Sequence, residues 1–212
     1  MGSLGFWQYE RLQWKTNVIN QLNQEYNKAE DELNLELDEI NEKDILFGRL
    51  TGQFLYQQEI FYGPKSFNKI PGYHVITPFL TSEGIILVNR GWSETNTKKD
   101  MVEPPSEKIE ITGIIRKPEW NKFTPNNDPK HHIWTKLNIR QIADAKNLEN
   151  VAGKILYLTN PKETKGGVIS THGKWYPRNK HKQYMLFWFA MTAIFLSFFA
   201  YFTFRDRISK TN

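Results

Sequence analysis

Cysteine is absent from all 212 residues. That excludes disulfides, thiolate metal sites, iron–sulfur clusters, copper transfer through a cysteine pair and a cysteine nucleophile. The chain also lacks a Walker loop, a Rossmann glycine run, a Gly-x-Ser-x-Gly elbow and a His-Glu-x-x-His helix. No acid, base and nucleophile constellation replaces them, so an enzyme is not expected. Charge of one sign is also in short supply. Twenty-eight Lys and Arg stand against 23 Asp and Glu, a net charge of +5. The basic residues form no stripe with interleaved aromatics, so nucleic acid is not an expected partner. No secretory signal or amphipathic transit peptide is visible at Met1, and no long internal repeat is present.

Long hydrophobic runs are also scarce, with one exception. Met185 to Phe204 reads MLFWFAMTAIFLSFFAYFTF, without charge, Gly or Pro. At about 1.5 Å per residue it makes roughly 30 Å of helix, the thickness of a bilayer's hydrocarbon core. Its Leu, Ile and Phe side chains together favour insertion by roughly 3–6 kcal/mol, before Thr192, Ser197, Tyr201 and Thr203 take some back. The segment predicts a transmembrane helix and makes the lipid bilayer an expected partner.

The preceding residues suffice for one domain with a real core. Aromatics make up 14% of the chain, which argues for folded structure rather than disorder. Residues 4–28 predict an amphipathic helix, with Trp7, Trp14, Val18, Leu22 and Tyr26 on one face and Gln8, Arg11 and Lys15 on another. Tryptophans beside long cations suit a membrane interface; the same pattern suits a helix packed on the domain. Residues 29–44 are acidic and read as a connector.

From Ile45 the hydrophobic period changes to two. Leu46–Tyr56 with Glu59–Tyr62 predicts a first hairpin or bulged pair, bending at Gly48 or Gly52. Tyr73–Leu80 and Ile85–Asn89 predict a second hairpin around Thr81-Ser82-Glu83-Gly84. Lys108–Arg116, Ile133–Leu137 and Ile155–Leu158 predict further strands, Ile139–Lys146 a short helix, and residues 93–106, 117–132 and 162–177 loops. The expected fold is α+β: a mainly antiparallel sheet or partly closed barrel, an N-terminal amphipathic helix and a C-terminal transmembrane helix. The expected division is 1–28 interfacial helix, 29–177 β-rich domain, 178–207 juxtamembrane motif and membrane helix, and 208–212 tail.

Of the five histidines, His74 reads as a sheet residue and His172 sits in a Gly-rich loop without partners. His131 and His132 lack a carboxylate at ligand spacing, so no metal site is expected. His181 differs. With Tyr184 and Trp188 it is spaced three, four and seven at the mouth of the apolar helix, which places all three on one face. A neutral imidazole above an aromatic wall would suit axial ligation of a heme; the alternative is an interfacial aromatic belt with a wet histidine.

Several segments together resemble the Surfeit locus 1 family of cytochrome c oxidase assembly factors. They are Gly5-Phe6-Trp7-Gln8, Arg11 and Trp14-Lys15; Gly72 to Phe79; Ile86 to Trp92; Ile111 to Arg116; Phe123 to Pro129; Trp134; and Asn179-x-His181-x-x-Tyr184 with Trp188. Family members usually carry a first membrane helix before the Gly-x-Trp-Gln pattern, and Phe187 stands where the family often has Thr.

The resemblance implies a non-catalytic role in oxidase biogenesis, at the stage where heme a enters the catalytic subunit. An alternative is a permanently bound accessory subunit of the mature enzyme. It implies His181, Tyr184 and Trp188 as heme-binding residues and heme a as a transient cofactor. Trp7, Gln8, Arg11, Trp14 and Lys15 become interface or partner residues. Tyr73, Pro78, Asn89, Arg90, Gly91, Trp92, Asn127, Pro129 and Trp134 become a structural motif. The implied partners are the oxidase core subunit and other assembly factors or oxidase subunits. The implied location is the mitochondrial inner membrane with the domain in the intermembrane space, or a bacterial cytoplasmic membrane with the domain in the periplasm.

Overall fold

In a computed structural model, residues 1–94, 107–159, 168–169 and 176–209 are described. His172, most of the expected 93–106 and 162–177 loops, and the end of the tail lie outside them. The chain divides into two compact units, Met1–Asn23 with Tyr176–Asn212, and Gln24–Trp175. The expected interfacial helix and membrane helix thus fall together in one unit.

The larger unit is a mixed six-stranded sheet. Its strands are β1 (Ile45–Phe54), β2 (Ile60–Phe67), β3 (Ile70–Leu80), β4 (Ile85–Ser93), β5 (Ile109–Arg116) and β6 (Val151–Leu158), in the spatial order β1-β5-β6-β4-β3-β2. The β3–β4 hairpin forms as expected, with Leu80 opposite Ile85. The expected β1–β2 pair does not. β1 pairs instead with β5 along its length, Ile45 opposite Arg116 and Gly52 opposite Ile109. β6 enters between β5 and β4 and runs parallel to β4, so the sheet is mixed. The end of β1 also reaches β3, with Phe54 opposite Phe79. That curls the sheet without closing a true barrel.

Alternation along the strands sends side chains to two separate cores. On one face Leu46, Leu50, Phe54, Phe79, Val88, Ile115 and Leu156 pack under the short helix α2 (Leu37–Glu42). On the other, Ile60, Ile76, Leu87 and Ile155 pack with Trp134, Leu137 and Ile142 of α3 (Ile139–Lys146). α3 begins at Asn138, whose side chain accepts the Gln141 N–H, and ends on Asn147 in the left-handed conformation. Asn is favoured at both positions, as a side-chain acceptor at the start and as a residue tolerant of the left-handed angle at the end. Ile133–Leu137 is not a strand; isolated bridges form there instead, Asp128 to Ile133 and Tyr62 to Trp134.

The smaller unit holds most of α1 (Gly2–Tyr26) and α4 (His181–Ser209). Among the described residues, His181–Arg205 is the one helical stretch long and apolar enough to cross a membrane. Its Leu, Ile and Phe side chains stand out from the helix, with Phe199 71% exposed. The hydroxyls of Thr192, Ser197 and Thr203 each donate to the carbonyl four residues earlier, at 2.8–2.9 Å. Such a local bond satisfies the hydroxyl without needing water.

Candidate functional site

In the smaller unit α1 and α4 run antiparallel and meet along one line. On α1 the covered positions are Gly5, Gln8, Leu12 and Lys15; on α4 they are His181, Met185, Trp188 and Thr192. Both sets repeat at three and four residues, the spacing of a helix–helix seam. A Cβ on Gly5 would sit 2.8 Å from the Phe189 ring, so the missing side chain is what lets the helices approach.

Of the expected apolar face of α1, Leu22 and Tyr26 are buried, whereas the two tryptophans lie outside the seam. Trp7 and Trp14 point outward, 47% and 48% exposed. Arg11 lies between them, 5.9 and 5.2 Å from the two ring centroids. Gln8 and Lys15 face α4. Lys15 donates to the Arg178 carbonyl at 2.7 Å, and Asn179 donates to the Thr16 hydroxyl at 3.4 Å. Farther along, Tyr176 donates to Asn23 at 2.9 Å.

His181 begins α4 at this seam. Its Nδ1 donates to the Gln8 side-chain carbonyl at 2.6 Å. A carbonyl oxygen can only accept, so the proton sits on Nδ1 and the Nε2 lone pair is left for another partner. Trp7 meets the imidazole edge-on, with centroids 6.3 Å apart. Trp188 is half-buried two turns farther into the apolar helix, whereas Tyr184 is turned out and 54% exposed. The seam therefore brings His181, Trp188, Gln8 and Trp7 together and leaves Tyr184 at its edge. Gln8 as the partner of His181 was not expected from the sequence. The visible signal was its shared face with Lys15, which helical spacing gives without naming the helix that face meets.

The strand motif serves the sheet. Val75 pairs with Gly91 and Ile76 with Asn89, so Arg90 is the extra residue of a β-bulge. The bulge turns the guanidinium into the first core, where it meets Glu59 at 3.2 Å with both side chains about 95% buried. Thr77 donates to the same carboxylate oxygen at 3.2 Å. Tyr56 and Phe54 lie 4.9 and 5.5 Å beneath the guanidinium. Burial lowers the Arg90 pKa, and the Glu59 carboxylate opposes the shift.

Gly91 has φ +139°, and a Cβ there would lie 2.2 Å from the Ile169 carbonyl. Trp92 is buried and its indole donates to the Lys65 carbonyl at 3.1 Å. Tyr73 is half-buried in β3, and the Pro78 carbonyl accepts the Leu55 N–H at 2.9 Å.

The Asn127 carbonyl oxygen accepts the N–H groups of Thr135 and Lys136, both at 2.8 Å. Its amide donates to the Lys136 carbonyl and to Gln141. Pro129 opens the short 3₁₀ turn Pro129–His131, capped by Asp128. Trp134 is buried, and its carbonyl accepts the Gly63 N–H at 2.9 Å. These residues fasten the 120–138 loop to the sheet.

His131 is engaged with Asp128 at 2.6 Å. Among the described residues, no group of three His, Cys, Asp or Glu side chains could hold a metal ion.

The chain matches the model of the SURF1 family over residues 1–193. A SURF1-like protein of Caenorhabditis elegans is 30% identical, over 91% of this chain and 67% of its own length. One from Rickettsia conorii is 30% identical, over 89% of this chain and 80% of its own. Surfeit locus protein 1 of Xenopus tropicalis is 27% identical, over 90% and 68%. The match runs from α1 through the six-stranded sheet and into the apolar helix, and on that span the chain belongs to the SURF1 family.

Proposed function

We propose that this protein is a membrane-anchored, non-catalytic factor in cytochrome c oxidase biogenesis that helps heme a reach the catalytic subunit. The observation that carries the reading is the Gln8–His181 hydrogen bond at the mouth of the helix that, among the described residues, is long and apolar enough to cross a membrane. A metal-ligating histidine generally donates its other ring N–H to an oxygen, which fixes the tautomer and aims the ring. The residues fit a heme on three counts. His181 Nε2 carries the lone pair. Trp7 and Trp188 offer aromatic surface. Arg11 and Lys15 place cations one to two turns toward the end of α1 where Asn23 meets Tyr176, a position suited to propionate carboxylates.

A bound heme a would accept the Nε2 lone pair at iron. The protein's own part is to hold the imidazole neutral and aimed, keep an apolar wall beside it and neutralise carboxylates. The β-rich unit is then the surface for the oxidase core subunit. The membrane in this reading is the mitochondrial inner membrane, with the β-rich unit in the intermembrane space.

The test is purification of wild-type, His181→Ala and Gln8→Leu full-length protein in detergent from cells that make heme a. The expected result is a heme a absorption band in the wild type, lost in His181→Ala and weakened in Gln8→Leu, with membrane insertion unchanged. Unchanged bands in both variants would remove the heme role. Stoichiometric co-purification with fully heme-loaded oxidase would make the protein an accessory subunit instead.

A further inference from the structure

Both helices of the smaller unit mark the level of a membrane surface. On α4 no charged residue lies between Lys182 and Arg205, and on α1 none lies between Gly2 and Tyr9. The two uncharged stretches lie side by side. A Cβ on Gly5 would touch the Phe189 ring, and one on Gly2 would lie 3.9 Å from the Thr192 methyl. Phe189 and Thr192 are about 10 and 15 Å past Lys182 along α4. Each helix therefore gains its first charges at the same height, the turn where Gln8 meets His181. That height is where hydrocarbon gives way to headgroups.

The headgroup side of this level is strongly one-signed. Arg11, Lys15, Arg178, Lys180 and Lys182 stand against one carboxylate, Glu10, within residues 1–23 and 176–192. Among the described residues, no carboxylate pairs with Arg11, Lys180 or Lys182. Lys15 is committed to the Arg178 carbonyl. Arg11 is exposed on the outer face of α1, and it follows Trp7 by one turn and precedes Trp14 by another.

We propose that this basic girdle selects anionic phospholipid, with the Arg11 guanidinium holding the headgroup phosphate between the two indoles. Indole faces hold a guanidinium in place while its N–H edge stays directed outward, able to fork onto two phosphate oxygens. Indoles themselves settle at headgroup level. Trp7, one turn nearer the hydrocarbon, gives the first part of an acyl chain an apolar wall. A zwitterionic lipid brings its own cation beside the phosphate, and the surplus of lysine and arginine repels it; an anionic lipid brings none. Lipid surrounds α4 in any case, so what the girdle adds is a choice among lipids. The inference rests on α4 crossing a bilayer and not on heme.

Native mass spectrometry tests it on the full chain in detergent, made in cells without heme a. The protein is equilibrated with equal amounts of phosphatidylglycerol and phosphatidylcholine of the same acyl chains. Phosphatidylglycerol should be retained about tenfold over phosphatidylcholine, and Arg11→Gln should remove most of that preference, one charge-assisted hydrogen bond's worth. Arg11→Lys, which keeps the charge and loses the fork, should fall between them. Lys122→Gln, in the larger unit, should match the wild type. Millimolar glycerol phosphate should leave the lipid in place. Equal retention of the two lipids overturns the proposal, as does a preference that Arg11→Gln leaves intact. Displacement by glycerol phosphate also overturns it, since the ligand would then be a free phosphate. None of these outcomes bears on the heme band, and loss of that band in His181→Ala leaves the lipid ratio unchanged.

Discussion

Arg90 and Glu59 lie 31 residues apart and meet in a core that excludes water. Removing one member of such a pair strands the other. Glu59→Met should therefore cost about 3–5 kcal/mol, while the double variant Glu59→Met/Arg90→Met should recover most of it. Chemical denaturation of the three proteins checks this, and a double variant as unstable as the single one refutes it. Gly91 is a second such position. Gly91→Ala puts a Cβ onto the Ile169 carbonyl at a backbone angle L-residues avoid. The thermal midpoint should fall by several degrees, roughly what 2–3 kcal/mol produces in a domain of this size. His74 gives a pH dependence. Burial holds its pKa below the ordinary 6.5. Below that pH the unfolded chain takes up the proton while the folded chain resists it, so stability rises with pH through this window. His74→Gln should flatten the melting temperature between about pH 7.5 and 5.5.

The elements were more legible than their neighbours. Alternating side chains marked β5, the apolar run Ile85 to Val88 after a turn marked β4, and Asn138 and Asn147 bracket α3 as caps do. Pairing was harder to read. A strand's periodicity gives its two faces but not the strand beside it, so nothing local in Ile155–Leu158 told that β6 would run parallel to β4. The α1 seam was harder to read for a related reason. Helical spacing gives the faces of α1 but not the helix beside it; close approach selects Gly5, and α4 offers His181 for Gln8 to bond. Gly5→Leu should therefore push the helices apart. The chain has no cysteine of its own, so a Thr16→Cys/Asn179→Cys pair can report this without background. That pair should oxidise readily in the parent and slowly with Gly5→Leu, and equal rates would contradict the seam.

At the scale of the molecule, both sheet cores are built wholly from residues between Leu37 and Leu158. The 24–175 unit should accordingly fold without the helical unit, giving a cooperative melt and a dispersed amide spectrum in detergent-free buffer. The helical unit should not do so. α4 carries a dozen large apolar side chains with nothing polar to cover them, and it should require detergent or lipid.

The insertion of β6 between β5 and β4 also sets a timetable. The ribosome makes β1, then the β2–β3–β4 meander, then β5, and the strand that lies between β4 and β5 emerges last. Until residue 158 is out, β4 and β5 each present a bare hydrogen-bonding edge, and β4 opens with four apolar residues, Ile85 to Val88, that the finished fold buries. Edges of that kind recruit foreign strands, and sheets closed by distant segments fold slowly. The nascent chain thus depends on its last sheet strand arriving before a stranger's does.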